Sequence, residues 1–105
     1  MIIPKTIKIG ETNYKVKESL FLFKDSALSG NIDYHICTMR IRKNMTKRGK
    51  EDTFFHEVAH GICKELEFNH PKIAKFRCDE LFIQELGLLM RKTFLDLLEK
   101  QKVKR

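Results

Sequence analysis

Apolar and polar residues alternate through "TIKIGETNYKVKE" (6–18), on both sides of "GETN". A period of two interrupted by a turn predicts a β-hairpin with Ile7, Ile9, Tyr14 and Val16 facing inward. "SLFLFKDSALSGN" then holds a short apolar run closed by a Ser/Gly/Asn turn cluster. A second strand pair is expected in "NIDYHICTMRIRK", where Met39 and Ile41 share one face and Arg40 and Arg42 take the other. After Asn44 the period becomes helical. Phe55, Ala59, Ile62 and Leu66 recur at steps of three and four, which predicts a helix within 46–68, with Thr46 as its N-cap. Gly49 weakens the first turn, so regular helix is expected from near Glu51. "EFNHP" (67–71) ends this helix and opens another, in which Pro71 suits the first position and nothing but one glycine interrupts 71–100.

Two strand pairs followed by two helices predict an α+β fold, a small antiparallel sheet with its helices segregated. The chain of 105 residues supports one core, hence one domain. It divides into a strand region (1–45), a first helix (46–68), a second helix (71–100) and a basic tail (101–105).

Charge adds a partner class. Lysine and arginine outnumber acids by 21 to 14, a formal +7, which attracts polyanions and keeps nucleic acid in view. Much of the surplus lies in "KRGK" (47–50) and "KQKVKR" (100–105), runs that read as solvated surface, so nucleic acid is not favoured. Cys37, Cys63 and Cys78 are odd in number and widely spaced, with no C-x-x-C pair for a zinc knuckle or redox motif. "MIIPKTIKIG" lacks the apolar core of a signal peptide, and no apolar run approaches the roughly 20 residues of a membrane span. A reduced, cytoplasmic protein is expected.

The chemistry concentrates in "TFFHEVAHGICKEL" (53–66). On a helix His56 and His60 lie one turn apart on the same face, where two imidazoles can converge on one tetrahedral ion such as zinc. Glu57 is rotated by about 100° from His56. That puts it beside the metal, where it suits a general base acting on a zinc-bound water. A catalytic zinc needs a third protein ligand. On the second helix Ile73, Phe76, Glu80, Ile83, Gly87, Met90, Phe94 and Leu97 form one seam, and Glu80 is its single charged member. A carboxylate in an apolar seam is costly unless paired or metal-bound, which selects Glu80 as the third ligand. Gly87 would let the helices approach closely. Asp79, Glu85, His70 and Cys63 remain weaker rivals for the metal, and a pairing of Glu80 with a buried lysine or arginine is the structural alternative. The glycine and histidine that a metzincin carries three and six residues after its second histidine are here Cys63 and Leu66.

"HEVAH" followed after nineteen residues by Glu80 resembles the gluzincin metallopeptidases, whose third zinc ligand is a glutamate on a downstream helix. The whole layout is similar to the minigluzincins and to short phage-associated H-E-x-x-H proteins, through "IPKTIKIG", "GNIDY" and "TFFHE". The resemblance implies one Zn²⁺ on His56, His60 and Glu80, Glu57 as acid/base, and hydrolysis of a peptide or protein substrate. It also implies a substrate-binding rim near Met39–Arg42, and a latent form in which "EKQKVKR" or "MIIPK" fills the cleft. Two departures stand out. Gln84 occupies the place of a further acid, and no added subdomain supplies an oxyanion-stabilising residue, leaving Tyr34, His35 and His70 as candidates.

Overall fold

Gly10 sits at φ 61°, a left-handed conformation that glycine adopts at little cost, and with Glu11 it forms the two-residue turn of the first hairpin. The turn joins β1 (Thr6–Ile9) to β2 (Thr12–Ser19), with Ile9 opposite Thr12. A computed structural model describes residues 1–20 and 28–103 of the chain. The apolar run expected around 21–27 lies outside the described residues. The second antiparallel pair is β3 (Gly30–Asp33) and β4 (Thr38–Arg42). In the connection between them the Asp33 carboxylate accepts from the His35 N–H at 3.0 Å, and Cys37 turns the chain at φ 48°.

Both expected strand pairs form, but the sheet they make is mixed. β2 and β4 run parallel, giving the strand order β1-β2-β4-β3. A parallel neighbour needs a long connection, and the chain from Ser19 to Thr38, which includes β3, is that connection. The pairing aligns Val16 with Met39, so the buried side chains of both hairpins join one core. It also leaves β3 on an edge.

Side-chain alternation then sorts the two faces. Ile9, Tyr14, Val16, Met39 and Ile41 are buried, and Ile7 is half-buried against them. Helix α1 (Lys47–Glu67) covers this face with Phe54, Phe55 and Val58. The Thr46 hydroxyl accepts from the Gly49 N–H at 3.0 Å, so the helix begins at Lys47 rather than near Glu51; the cap outweighs the glycine.

The second helical segment is not continuous. A 3-10 turn (Pro71–Ile73) leads into the short α2 (Ala74–Arg77), and after a break at Cys78 and Asp79 comes α3 (Glu80–Val103). The Asp79 carboxylate accepts from the Phe82 N–H at 3.1 Å, giving α3 its own start. Ala59 and Cys63 of α1 pack against Ile83 of α3 in a second cluster.

Glu51, only 5% exposed, ties three segments together. Its carboxylate meets the Met1 ammonium at 3.0 Å and Arg91 of α3 at 3.1 Å. Burial pushes the Glu51 pKa up, but the ammonium and the Arg91 guanidinium outweigh it and hold the carboxyl below its usual range. A lowered folded-state pKa contributes stability above the unfolded value, and that contribution disappears as pH falls through the folded one. Glu51→Gln should therefore lower the unfolding free energy by roughly 3 kcal/mol at neutral pH. The difference from wild type should narrow below about pH 4. Urea denaturation at both pH values checks this, and equal stability at neutral pH would contradict it.

Candidate metal centre

On α1 the rings of His56 and His60 lie one turn apart and meet edge to face, with centroids 5.0 Å from each other. Nε2 of His56 lies 2.9 Å from Glu80 Oε2, and Nε2 of His60 lies 3.2 Å from Glu80 Oε1. Each of the three residues offers a ligand atom within 4.8 Å of the others, so all three sequence-predicted ligands come together. The donor set, two imidazole nitrogens and one carboxylate oxygen, is one that zinc takes in catalytic sites with a further position open.

Glu80 arrives there by a different route from the one the seam argument gives. Its side chain is 68% exposed and belongs to the first turn of α3, at the rim of a cleft rather than in an apolar seam. The break at Cys78 and Asp79 is the reason. It places Ile73 and Phe76 on helical segments before α3, and although Ile73 still packs into the cluster of Ile83 and Met90, no single helical stripe runs through position 80. What delivers Glu80 is the close approach of α3 to α1. A Cβ on Gly87 would lie 3.0 Å from His56 Cα, 3.1 Å from its nitrogen and 3.2 Å from the Phe55 carbonyl carbon.

The surroundings tune each group. Burial lowers the His60 pKa, against which the Glu80 charge and a hydrogen bond to the Arg77 backbone work. Glu57 is 6% exposed and makes no ion pair or hydrogen bond among the described residues. Burial first, and then the negative charge of Glu80, push its pKa up to about 8. A cation held by the neighbouring ligands would oppose that shift by favouring the carboxylate. A cation on those ligands would supply what the burial of Glu57 lacks, a positive partner.

His56, Glu57, His60 and Glu80 line a cleft of about 750 Å³ together with Tyr34 and Gln84. β3 forms one wall. A Cβ on its Gly30 would meet Thr53 Cγ2 at 2.5 Å and Glu57 Cγ at 3.5 Å, so only glycine lets the strand lie this close to α1. The rim expected at Met39–Arg42 is corrected here. That strand is β4, paired on both sides, and the edge facing the cleft belongs to β3. Of the three candidate oxyanion stabilisers, Tyr34 lines the cleft, whereas His35 and His70 are exposed away from it. Burial pushes the Tyr34 pKa up to about 12 despite the Arg77 guanidinium, 5.4 Å from its ring, so the phenol keeps its proton. Among the rival ligands, Asp79 caps α3, Glu85 is exposed and Cys63 is buried beside Ala59.

Arg77 is the residue that sequence reasoning missed. Its backbone holds His60, and its guanidinium forks onto Glu67. The available signal was Asp79, an N-cap residue type directly before a helical run, which marks a new helix start and ends the preceding turn at Arg77.

No family model, curated protein or solved structure matches this chain.

Gly87→Ala separates two effects of opposite sign. Alanine gains up to about 1 kcal/mol of helix propensity. The contacts it would make are with backbone that cannot rotate away, and overpacking costs about 1–3 kcal/mol. The variant should unfold at lower urea concentration and bind zinc at least tenfold more weakly, as read by competition with a chromophoric chelator. Unchanged zinc affinity would show that the approach at Gly87 does not position Glu80.

Proposed function

We propose that the protein is a minimal zinc-dependent metallopeptidase of the gluzincin type, acting on peptides or proteins. The observation that carries the reading is Glu57, a buried carboxyl with no partner among the described residues, beside a converged His56, His60 and Glu80 set. A purely structural zinc site gains nothing from such a group, and burying one without function is costly.

One zinc ion on those three ligands supplies Lewis acidity, which acidifies water and polarises a carbonyl. The remaining chemistry belongs to the chain. Glu57 accepts the proton of the attacking water and passes it to the leaving amine. The Tyr34 hydroxyl, protonated at neutral pH, donates to the oxygen on which negative charge develops. The edge of β3, unpaired among the described strands, offers backbone groups to an extended peptide laid along the cleft, with Gly30 keeping the strand close to Glu57. The described N-terminal residues lie outside the cleft, with Met1 held at Glu51, so a plug formed by "MIIPK" is not part of this proposal. Three free thiols fit a reducing cytoplasm, and no helix among the described residues is long and apolar enough to cross a membrane.

Two substitutions test the assignment separately. Glu57→Gln should retain one zinc per chain and lose peptide hydrolysis by at least a hundredfold in kcat. Glu80→Ala should lose the zinc itself, measured by elemental analysis after dialysis. Hydrolysis surviving in Glu57→Gln would remove the mechanism, and full zinc occupancy in Glu80→Ala would remove the ligand set.

A further inference from the structure

Among the described residues no helix packs on the second face of the sheet. Of the described helices only α1 packs on the sheet, and it does so on the side of Tyr14 and Met39. Alternation therefore turns Lys8, Lys15, Lys17 and Arg40 outward together. Lys17 and Arg40 are register partners on adjacent strands, hence about 4.8 Å apart. Lys15 lies two residues along the same strand, about 6.8 Å away. Like charges directly opposite each other destabilise a sheet, and on this face neither Lys17 nor Arg40 meets a carboxylate among the described residues. Asp33, its one carboxylate within a strand, accepts the His35 N–H. Lys15, Lys17 and Arg40 make no ion pair among the described residues, whereas Lys50, Arg77 and Arg91 each meet a carboxylate and Lys8 meets only the exposed Glu11 of the turn, at 4.0 Å. Arg42 is not counted, because its guanidinium holds the Leu20 and Leu28 carbonyls.

We infer that this outer face, built on Lys8, Lys15, Lys17 and Arg40, docks the phosphate backbone of duplex nucleic acid. Three features select that occupant. Lys15 and Lys17, about 6.8 Å apart along β2, can reach separate phosphates of a duplex, whose charges recur every ~3.4 Å of axis on each strand. No aromatic side chain projects from the described strands on this side, so there is no platform for stacking unpaired bases. No apolar side chain projects there from the described strands either, so those strands offer nothing to insert into a lipid surface. Thr6 and Asn13, outward on the neighbouring strands, add polar groups suited to phosphate and sugar. Contacts to backbone alone carry no sequence preference. The surface is separate from the metal centre, which lies on the other side of β3, and the inference holds whether or not the centre hydrolyses peptides.

Fluorescence anisotropy of the full chain with a short mixed-sequence DNA duplex tests it. Neutralising four phosphates gives log K against log salt a slope of about −3 to −4, or roughly a hundredfold loss of affinity between about 50 and 200 mM salt. The triple variant Lys15→Gln, Lys17→Gln, Arg40→Gln should flatten that slope by about 3, one unit per cation. The pair Lys100→Gln, Lys102→Gln on the end of α3 should leave it unchanged. In the unmodified protein, duplex should also protect Lys15 and Lys17 from amine acylation, which reads the surface without any variant. Absence of salt-dependent duplex binding would overturn the inference. So would binding that follows the α3 lysines instead, tighter binding of single strands, or preferential binding of phosphatidylserine vesicles.

Discussion

The architecture turns on how closely α3 can lie against α1, and Gly87 sets that distance by presenting no side chain to the His56 backbone. Three contacts follow one another along the crossing. Glu80 meets the paired imidazoles, Gly87 rests on Phe55 and His56, and Arg91 reaches Glu51 and Asp52. α3 rises from residue 80 to 91 while its partners on α1 descend from 60 to 51, so the two helices run antiparallel. Glu80 stands two turns, or about 10.5 Å, from the glycine. At that range a small change in the separation or tilt of the helices displaces the carboxylate from both rings. The buried Glu51–Arg91 pair at the other end makes such a change costly.

The sheet adds the second constraint. Parallel pairing of β2 with β4 sends β3 to the edge, and Gly30 lets that edge close over Glu57. The cleft therefore has a rigid floor of helix and a wall of strand whose backbone groups are unpaired on one side among the described strands. Alternation along the same strands produces the unbalanced outer face. Each inward Val16 or Met39 fixes an outward Lys15, Lys17 or Arg40, so the core and the basic surface are two consequences of one pattern.

How much of this the sequence discloses depends on how local each cause is. The hairpins, the Thr46 cap and the inward sets at Tyr14, Val16, Met39 and Ile41 follow from periods and turn residues, and these were legible. So was the shared face of His56 and His60, which depends only on helix pitch. Partnering between distant strands was not, because two hairpins of the same pattern can join by either pair of edges, and the parallel choice rests on a connection of nearly twenty residues. The helix break was partly legible, in Asp79. Overlooking it led the reading to place Glu80 in an apolar seam, whereas it stands exposed at a helix start. The right residue was reached through a wrong environment: the seam is real from Ile83 through Gly87 to Met90, whereas Phe94 and Leu97 beyond it are exposed. Arg77 and the Met1 contact with Glu51 depend on tertiary placement and left no periodic trace.

The central claim is that His56, His60 and Glu80 enclose one zinc ion with a position left over. X-ray absorption at the zinc edge of the loaded protein reads this directly. The account predicts four nitrogen and oxygen neighbours at about 2.0–2.1 Å, with the multiple-scattering signature of two imidazoles. A sulfur neighbour at about 2.3 Å, which would bring in a cysteine, or a shell with fewer than two imidazoles, would contradict it.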